Sequence, residues 1–359
     1  AGFSQSFNSP INLDENYQKK IINTQENFLY EILSHKEKLN INVFHIGNKE
    51  YSLYSIDSLN YLYQKKFQDN SNKFFKQDEL NTDKVKITAE ITTNHFGDMD
   101  RLKAMIILSK NSGADFIKLQ KRDVDTFYTK KQLKTKYKSP FGKTFRDYRM
   151  GLELSLEQFE EVESFCKEIG IGWFASILDL PSFKFIQNFN PTFIKIPSTI
   201  SEHKEFIAHV GKNYKENLVI STGYTNKNYE EFILKNFKNA KKIYLLQCTS
   251  AYPTKNDDAQ IAVVRHYYNL SKHNEKIIPG YSSHDIGSLC SMMAIAAGAQ
   301  MIEKHVKFSQ VSWSHFDEVA VDLQNGNFED FVKDIRKAEN ILGSEIKKIN
   351  PNEHHKYWI

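Results

Sequence analysis

From Lys84 onward the chain repeats one pattern: a short apolar run rich in Val, Ile and Phe, then a polar or glycine-containing break, then a stretch with helical spacing of apolar residues. Strands of this kind that alternate with helices are typical of a parallel sheet covered by helices and joined by right-handed crossovers. Eight such units in about 260 residues predict a (β/α)8 barrel. The eight runs are residues 85–91, 115–119, 171–176, 192–197, 217–221, 242–247, 276–282 and 300–306.

The stretches between the runs carry helix signals. The helical stretch in residues 99–114 ends at Gly113, which is typical of a helix C-terminus, and residues 155–171 begin with a Ser-x-x-Gln capping box. A doubly wound open sheet is the alternative fold. However, no GxGxxG follows the first strand, so the usual nucleotide-binding signature of that fold is missing.

Residues 1–83 do not follow the pattern. They predict a small α/β appendage: a polar helix, a β-hairpin that turns near residues 47–49, and a second helix, followed by a linker rich in Lys, Asn and Asp. We therefore divide the chain into an N-terminal extension (1–83), a barrel domain (84–348) and a C-terminal tail (349–359).

The composition and the distribution of apolar residues and cysteines indicate the expected cellular compartment. The chain has 359 residues, 40% of them apolar, which is enough for a sizeable core. We expect no membrane segment and a cytoplasmic location, because no run of eighteen apolar residues occurs and the first residues lack the blocks of a signal peptide. Three scattered cysteines form no disulfide pattern, which is compatible with a reducing compartment.

Positive charge is concentrated in one segment. Residues 121–149 hold ten Lys or Arg against three Asp, whereas the whole chain carries only +4. The segment is either a solvated basic loop or a surface that attracts an anionic substrate. We do not expect nucleic-acid binding, since no RNA-binding signature or helix-turn-helix pattern accompanies the charge.

Polar side chains occur at the C-terminal end of every predicted strand, where active sites of such barrels lie. Buried Lys or Glu is rare without a partner, so these residues are better explained by one shared site than by independent structural roles. The candidates are Glu90, Lys118, Gln120, Ser176, Lys195, Ser198, Ser221, Ser250, Tyr252, Ser282, His284, Glu303 and His305.

Two histidines stand at matched positions on the seventh and eighth strands, which are neighbours in a barrel. His284 and His305 are either satisfied core residues or ligands that converge on one divalent cation, with Glu90, Glu303 and Asp317 nearby. Mixed His and carboxylate or water ligation suits Mn²⁺, Mg²⁺, Co²⁺ or Zn²⁺.

Two lysines, Lys118 and Lys195, also end apolar strands. One interpretation is a Schiff-base lysine of an aldolase, and the other is a pair of cations that hold a carboxylate and a phosphate. The surrounding hydroxyl groups favour the second, because phosphate oxygens accept several hydrogen bonds at once. Cys248 is expected to be a packing residue rather than a nucleophile.

In this order the motifs resemble the sialic acid synthase family, in the compact branch without a C-terminal antifreeze-like domain. The matching segments are AEITTNHFGD, GADFIKLQ, WFASILD, FIKIPS, VISTGY, LLQCTSAYPT, GYSSHDIG and MIEKHV. The resemblance implies a (β/α)8 barrel that condenses phosphoenolpyruvate with an aldose, such as N-acetylmannosamine, to give a nonulosonic acid and phosphate. It also implies a transferase, and we expect a homodimer.

The resemblance assigns roles to individual residues. It implies that His284 and His305 bind the metal, which we expect to be Mn²⁺, with Mg²⁺ or Co²⁺ as alternatives. Glu90 would accept or relay a proton, and Lys118 and Lys195 would neutralise the substrate anion. The hydroxyl groups that match phosphoenolpyruvate-binding positions are Ser176, Ser198, Ser221 and Ser282, and the residues around the sugar are Gln120, Tyr252, Asp317 and Ser250, the last where the family often has Asn.

One departure leaves the acceptor sugar open. Ile200 stands where the family usually has a Glu that contacts the N-acetylhexosamine, and an apolar residue cannot replace that carboxylate. We hypothesise that Arg146 or Arg149, in the basic segment, helps to hold the sugar or a phosphate on it. A Schiff-base aldolase and a non-catalytic sugar-binding barrel are the alternative functions.

Overall fold

The computed structural model describes residues 43–46, 49–52, 84–308 and 318–353. Its centre is a closed barrel of eight parallel strands in which each strand pairs with the next one along the chain and the eighth pairs with the first. The predicted (β/α)8 barrel is confirmed. The strands are β1 (Lys86–Thr92), β2 (Phe116–Lys121), β3 (Gly172–Ile177), β4 (Phe193–Ile196), β5 (Leu218–Ser221), β6 (Ile243–Gln247), β7 (Ile277–Ser283) and β8 (Met301–Lys307).

Helices connect the strands on the outside of the barrel. The second begins with the predicted capping box, in which Ser155 and Gln158 satisfy each other's backbone N–H groups, and ends at Gly170 with φ of 70°. The helices are α1 (Met99–Asn111), α2 (Leu156–Ile169), α3 (Leu180–Ile186), α4 (Lys204–Asn213), α5 (Lys227–Asn236), α6 (Ala262–Ser271), α7 (Leu289–Ala296) and α8 (Asn327–Leu342).

The inside of the barrel has an apolar floor. Its rings pack edge to face, as between Phe116 and Phe193, whose centroids lie 5.2 Å apart. Because side chains alternate along a strand, the residue two positions further on points the same way and lies one layer nearer the C-terminal mouth. The floor consists of Phe116, Phe174, Phe193, Val219, Tyr244, Leu246 and Met301.

The basic segment is folded. The βα2 loop, residues 122–155, contains the short helices Val124–Phe127, Lys130–Leu133 and Phe145–Gly151 and the strand pair Lys136–Ser139 with Gly142–Thr144. It packs on three neighbouring loops at the barrel mouth: its residues contact Phe96 after β1, Asp179 after β3 and His203 after β4. The loop therefore covers the β1–β4 side of the mouth, and it is folded although most of its Lys and Arg side chains are exposed to solvent.

Outside the barrel, residues Val43–Ile46 and Lys49–Ser52 pair as antiparallel strands, at the position of the predicted hairpin. The helices and linker predicted for residues 1–83 lie outside the described residues, so the predicted division into extension, barrel and tail stays a prediction. Among the residues that the structure describes, no helix is long and apolar enough to cross a membrane.

The loop after β1 depends on a neutral histidine. His95 is 1% exposed, and its Nδ1 accepts a hydrogen bond from the Gly97 N–H at 3.0 Å. Burial, helped by Arg101, lowers the pKa of His95 to about 3. Protonation would remove the lone pair that accepts this bond.

Acid should therefore destabilise the protein through His95. The unfolded chain binds this proton below a pKa of about 6.5 and the folded chain only near 3, so the stability that the neutral imidazole contributes is lost as pH falls through that window. Relative to His95→Asn, which keeps an acceptor but does not titrate, the wild type should lose about 1.4 kcal/mol per pH unit. Urea unfolding between pH 7 and 4 measures this, with His273→Asn at an exposed site as control, and a pH-independent difference would contradict it.

Candidate active site

One buried carboxylate joins two buried lysines just above the apolar floor. The Oε1 atom of Glu303 contacts the Nζ of Lys118 at 3.0 Å, the Nζ of Lys195, and the hydroxyl of Ser282, which donates at 2.8 Å. Glu90 adds a second carboxylate, with its Oε1 at 2.6 Å from the Nζ of Lys118. None of these side chains is more than 8% exposed. Strands β1, β2, β4, β7 and β8 thus contribute to one charge network.

The residue at the centre of this network was only partly identified from sequence. The pattern places Glu303 among the carboxylates beside a metal, whereas in the structure it bridges the lysines. The signal is the spacing within MIEKHV: Met301 belongs to the floor, Glu303 lies one layer above it, and His305 lies one layer above that. A Glu that points into the barrel one layer below an inward-pointing His lies at the depth of the inward-pointing lysines on other strands. Its carboxylate can therefore contact them.

Burial and neighbouring charges act against each other in the network. Burial alone would raise the pKa of Glu90, but Lys118 and Lys195 outweigh it and the pKa lies below its usual value. Burial would lower the pKa of Lys195, yet Glu303 and Glu90 raise it above its ordinary value. The same burial lowers the pKa of Lys118. The two carboxylates and two ammonium groups stabilise each other's charges.

The two histidines lie together at the mouth. The ring centroids of His284 and His305 are 5.5 Å apart, and Tyr252 packs on the His284 ring at 4.3 Å. The Nε2 of His305 lies 3.5 Å from Oε2 of Glu90. Burial lowers the pKa of each imidazole to about 3. Both rings are therefore neutral near pH 7, which is the form that binds metal.

The tautomer of His284 also fits the predicted metal pair. Nδ1 of His284 lies 2.7 Å from the Thr249 carbonyl oxygen, which only accepts, so Nδ1 carries the proton and Nε2 is left as the lone pair. Metal-binding histidines are commonly oriented in this way. Among the described residues, no group of three or more His, Cys, Asp or Glu side chains is arranged to hold a metal. The structure thus brings together the two imidazoles of the predicted metal pair, and metal binding stays a prediction.

Hydroxyl groups converge where Gly223 follows β5. The Gly223 N–H donates to Ser198 Oγ at 3.1 Å, and that oxygen lies 3.1 Å from the sulfur of Cys248. A Cβ on Gly223 would come within 2.4 Å of Ser250 Oγ, so only glycine permits this approach. Burial raises the pKa of the Cys248 thiol, which agrees with a packing role.

The remaining predicted hydroxyls, Ser176 and Ser221, are buried near the C-terminal ends of β3 and β5. Ser176 on β3 pairs in register with Lys195 on one side and with Gln120 on the other. Ser221 on β5 is buried, and its Oγ has no hydrogen-bond partner among the described residues. A buried hydroxyl in that state is available to a ligand oxygen.

At the predicted sugar-binding end of the site, the structure shows that Ile200 is a core residue. Its side chain is fully buried and belongs to the main hydrophobic core, so it does not face the mouth. The carboxylate that this loop presents to solvent is Glu202, two residues further on. Gln120 is half-buried beside Ser176, and Asp317 lies outside the described residues.

The two candidate arginines occupy different environments. Arg146 is exposed and makes two hydrogen bonds of 2.7 Å to the Asp125 carboxylate. Arg149 is 9% exposed and packs among aromatic rings, 5.0 Å from the centroid of Phe145 and 5.1 Å from that of Tyr148. Their described contacts lie within the βα2 loop, so a role in sugar binding stays a prediction.

A (β/α)8 barrel whose C-terminal mouth holds buried lysines, glutamates and histidines in contact with one another is typical of an enzyme. A model of the NeuB family matches residues 105–347, and the chain belongs to this family. The resemblance to the sialic acid synthases is thereby confirmed.

Individual relatives agree with this assignment. The N-acetylneuraminate-9-phosphate synthases of Mus musculus and Homo sapiens are 34% and 32% identical to this chain over 271 residues, which is 74% of this chain and 74% of each relative. The N,N'-diacetyllegionaminic acid synthase of Legionella pneumophila is 30% identical over 277 residues, 74% of this chain and 76% of the relative. The crystal structure of N-acetylneuraminic acid synthetase from Leptospira borgpetersenii superimposes with a TM-score of 0.62 at 19% identity, covering 86% of this chain and 93% of that one, and supports the fold.

The carboxylate of Glu303 should be essential for the stability of the site. Glu303→Gln removes a buried charge and leaves two ammonium groups with Glu90 alone, which should cost about 3–5 kcal/mol. Glu231→Gln, in the exposed pair with Lys227, should have no measurable effect. Urea unfolding of both variants checks this, and equal stabilities would show that Glu303 does not balance the lysines.

Proposed function

We propose that the protein condenses phosphoenolpyruvate with an aldose to form a nonulosonic acid and inorganic phosphate. The observation that carries this proposal is the pair of buried lysines bridged by Glu303 beside two neutral histidines. The names of the relatives support it, since N-acetylneuraminate 9-phosphate, legionaminic acid and pseudaminic acid are all nonulosonic acids.

The lysines would hold the anion. Lys118 and Lys195 reach one carboxylate oxygen, so their ammonium groups lie close enough to bind the carboxylate and phosphate of a single small molecule. Burial weakens solvent screening of their charges and strengthens that attraction. Ser221, Ser282 and the loop at Gly223 would add neutral hydrogen bonds.

The reaction forms one C–C bond at C3 and one C–O bond at C2 of phosphoenolpyruvate, and it breaks the bond between C2 and the phosphate oxygen. C3 of phosphoenolpyruvate bonds to the aldehyde carbon of the open-chain sugar, and the aldehyde oxygen takes up a proton to become a hydroxyl. A water oxygen bonds to C2 and loses one proton, which balances the proton taken up by the aldehyde oxygen. The C2–O bond to phosphate then breaks and phosphate leaves with the electron pair, while the new C2 hydroxyl gives its proton to phosphate and C2 becomes a ketone. Glu90 would accept or relay the proton at Oε2, the oxygen that faces His305.

We also propose that His284 and His305 bind a divalent metal, which we expect to be Mn²⁺, with Mg²⁺ or Co²⁺ as alternatives. When bound, such a cation would polarise the aldehyde oxygen. Tyr252 packs on His284 and would fix the ring, while the Thr249 carbonyl would fix its tautomer. A cytoplasmic location and a homodimer stay predictions, which cell fractionation and sedimentation velocity would test.

The proposed reaction is tested by phosphate release. Phosphoenolpyruvate with Mn²⁺ should give phosphate in the presence of at least one aldose from a panel of N-acetylmannosamine, mannose, 2,4-diacetamido sugars and their 6-phosphates. EDTA should abolish the release, because polarisation of the aldehyde is lost. No release with any sugar would refute the synthase, and borohydride trapping of pyruvate on Lys118 or Lys195 would instead support a Schiff-base aldolase.

The metal pair is tested by direct binding. His284→Ala removes one of two imidazoles and should lower the affinity for Mn²⁺ by at least about tenfold, measured by electron paramagnetic resonance of the free ion. His273→Ala, at an exposed position on another face, should bind Mn²⁺ as the wild type does. Equal affinity of the two variants would place the metal elsewhere.

A further inference from the structure

A buried lysine lies on the outer face of the barrel, next in sequence to one histidine of the predicted metal pair. Because Glu303 and His305 point into the barrel, Lys304 between them points outward, toward the helices. Its outward neighbours Ile302 and Val306 belong to the main hydrophobic core, and Lys304 itself is 1% exposed. A charged side chain is unfavourable in a layer where an apolar one would pack, so this lysine needs a specific explanation.

The neighbouring strand, β7, has the same arrangement. His284 lies at the mouth, and the outward positions on either side of it are Ser283 and Asp285, which are both fully buried. The carboxylate of Asp285 accepts hydrogen bonds from the Tyr281 hydroxyl at 2.8 Å and from the Ser283 hydroxyl at 2.7 Å. Each histidine thus has a buried charged residue directly beside it in sequence, on the outer face of the sheet.

The ammonium group of Lys304 connects the two strands. It donates hydrogen bonds to the Ser283 hydroxyl at 2.8 Å and to the backbone carbonyl oxygen of Asp285. The paired register of β7 with β8 ends at Ser283, so His284 lies beyond the backbone ladder that joins these strands. The Lys304 side chain therefore holds the segment that carries His284 to β8 at a point where the regular sheet has ended.

The two histidines are otherwise anchored to different neighbours. The Thr254 N–H donates to the His284 carbonyl oxygen at 2.8 Å, and Nδ1 of His284 donates to the Thr249 carbonyl oxygen, so the loop after β6 holds this residue. His305 pairs in register with β1 on the opposite side. The contacts of Lys304 join these two segments directly, and they do so at the positions adjacent to the two imidazoles.

We propose that Lys304 is a positioning residue that fixes the distance between His284 and His305, so that one divalent cation can contact both imidazoles. This inference rests on the metal pair of the proposed function and names the residue that maintains its geometry. Metal–nitrogen bonds tolerate little variation in length, so a small shift of either imidazole would weaken binding. Hydrogen bonds are directional, and a satisfied buried network therefore fixes the spacing of two strands more closely than apolar packing does.

The test is the affinity for Mn²⁺ in the absence of substrates, measured by electron paramagnetic resonance of the free ion. Lys304→Met combined with Asp285→Asn removes both buried charges and should lower the affinity by about 10- to 100-fold. Because no unpaired buried charge remains, this double variant should melt at the wild-type temperature or above it. Lys333→Met, at an exposed position on α8, should match the wild type in both measurements.

Chemical rescue separates the ammonium group from packing. Lys304 lines a cleft of about 410 Å³ together with Ser288, Phe331 and Asp334, so its truncation should open a space that a small amine can enter. Ethylammonium chloride should restore part of the Mn²⁺ affinity of Lys304→Ala, whereas sodium chloride at the same ionic strength should not. Equal recovery with both salts, or recovery with neither, would overturn the role assigned to the ammonium group. If Lys304→Ala alone does not fold, its combination with Asp285→Asn replaces it.

The outcome is separable from that of the proposed metal pair. Loss of Mn²⁺ affinity in His284→Ala, together with unchanged affinity in the double variant, would support the metal pair and overturn the role of Lys304. No binding of Mn²⁺ by the wild type would refute both. Phosphate release from phosphoenolpyruvate is measured independently, so the result for the synthase activity changes neither conclusion.

Discussion

The contact of Glu303 with two lysine ammonium groups is the interaction on which the rest of the site depends. Neither Lys118 nor Lys195 could stay charged in a barrel interior without a counter-ion, and the Glu303 carboxylate contacts both of them. The partners are far apart in sequence, since Lys195 and Glu303 are separated by 108 positions. Barrel closure brings them to one depth, so the charge network exists only in the complete fold. The network also makes the layer above the floor polar, in contrast to the apolar floor beneath it.

Much of this arrangement follows from the sequence because the underlying rules are local. Apolar runs identify the eight strands, and alternation along each strand identifies which residues point inward. The depth of an inward residue follows from its distance to the apolar floor, which is why His305 lies above Glu303 and Glu303 above Met301. The same two rules bring the lysines, the histidines and most of the hydroxyl groups to the C-terminal half of the barrel, where the structure also has them.

The parts that could not be predicted are those set by pairing between distant segments. The sequence places three carboxylates near the histidines. The spacing within MIEKHV gives the depth of Glu303, but the register of β8 against β1 and β7 decides that Glu303 bridges both lysines. The same holds for Arg146 and Arg149, which differ by three positions on one short helix. Arg146 reaches Asp125 at the surface, whereas Arg149 packs among aromatic rings. The way in which the βα2 loop folds back on itself decides this difference. Ile200 likewise packs into the core, which its place in a sequence motif does not reveal.

The two ends of the site handle charge in different ways. Around the barrel axis, Lys118 and Lys195 face Glu90 and Glu303, so ammonium and carboxylate groups are equal in number and their charges balance. At the βα2 loop, the described cations next to Tyr128 and Glu153 are Lys121, Arg122 and Arg149, and Glu153 is the carboxylate that pairs with the first two. The barrel interior therefore balances its charges with carboxylates, whereas the loop stabilises the buried Arg149 through the faces of Tyr128, Phe145 and Tyr148.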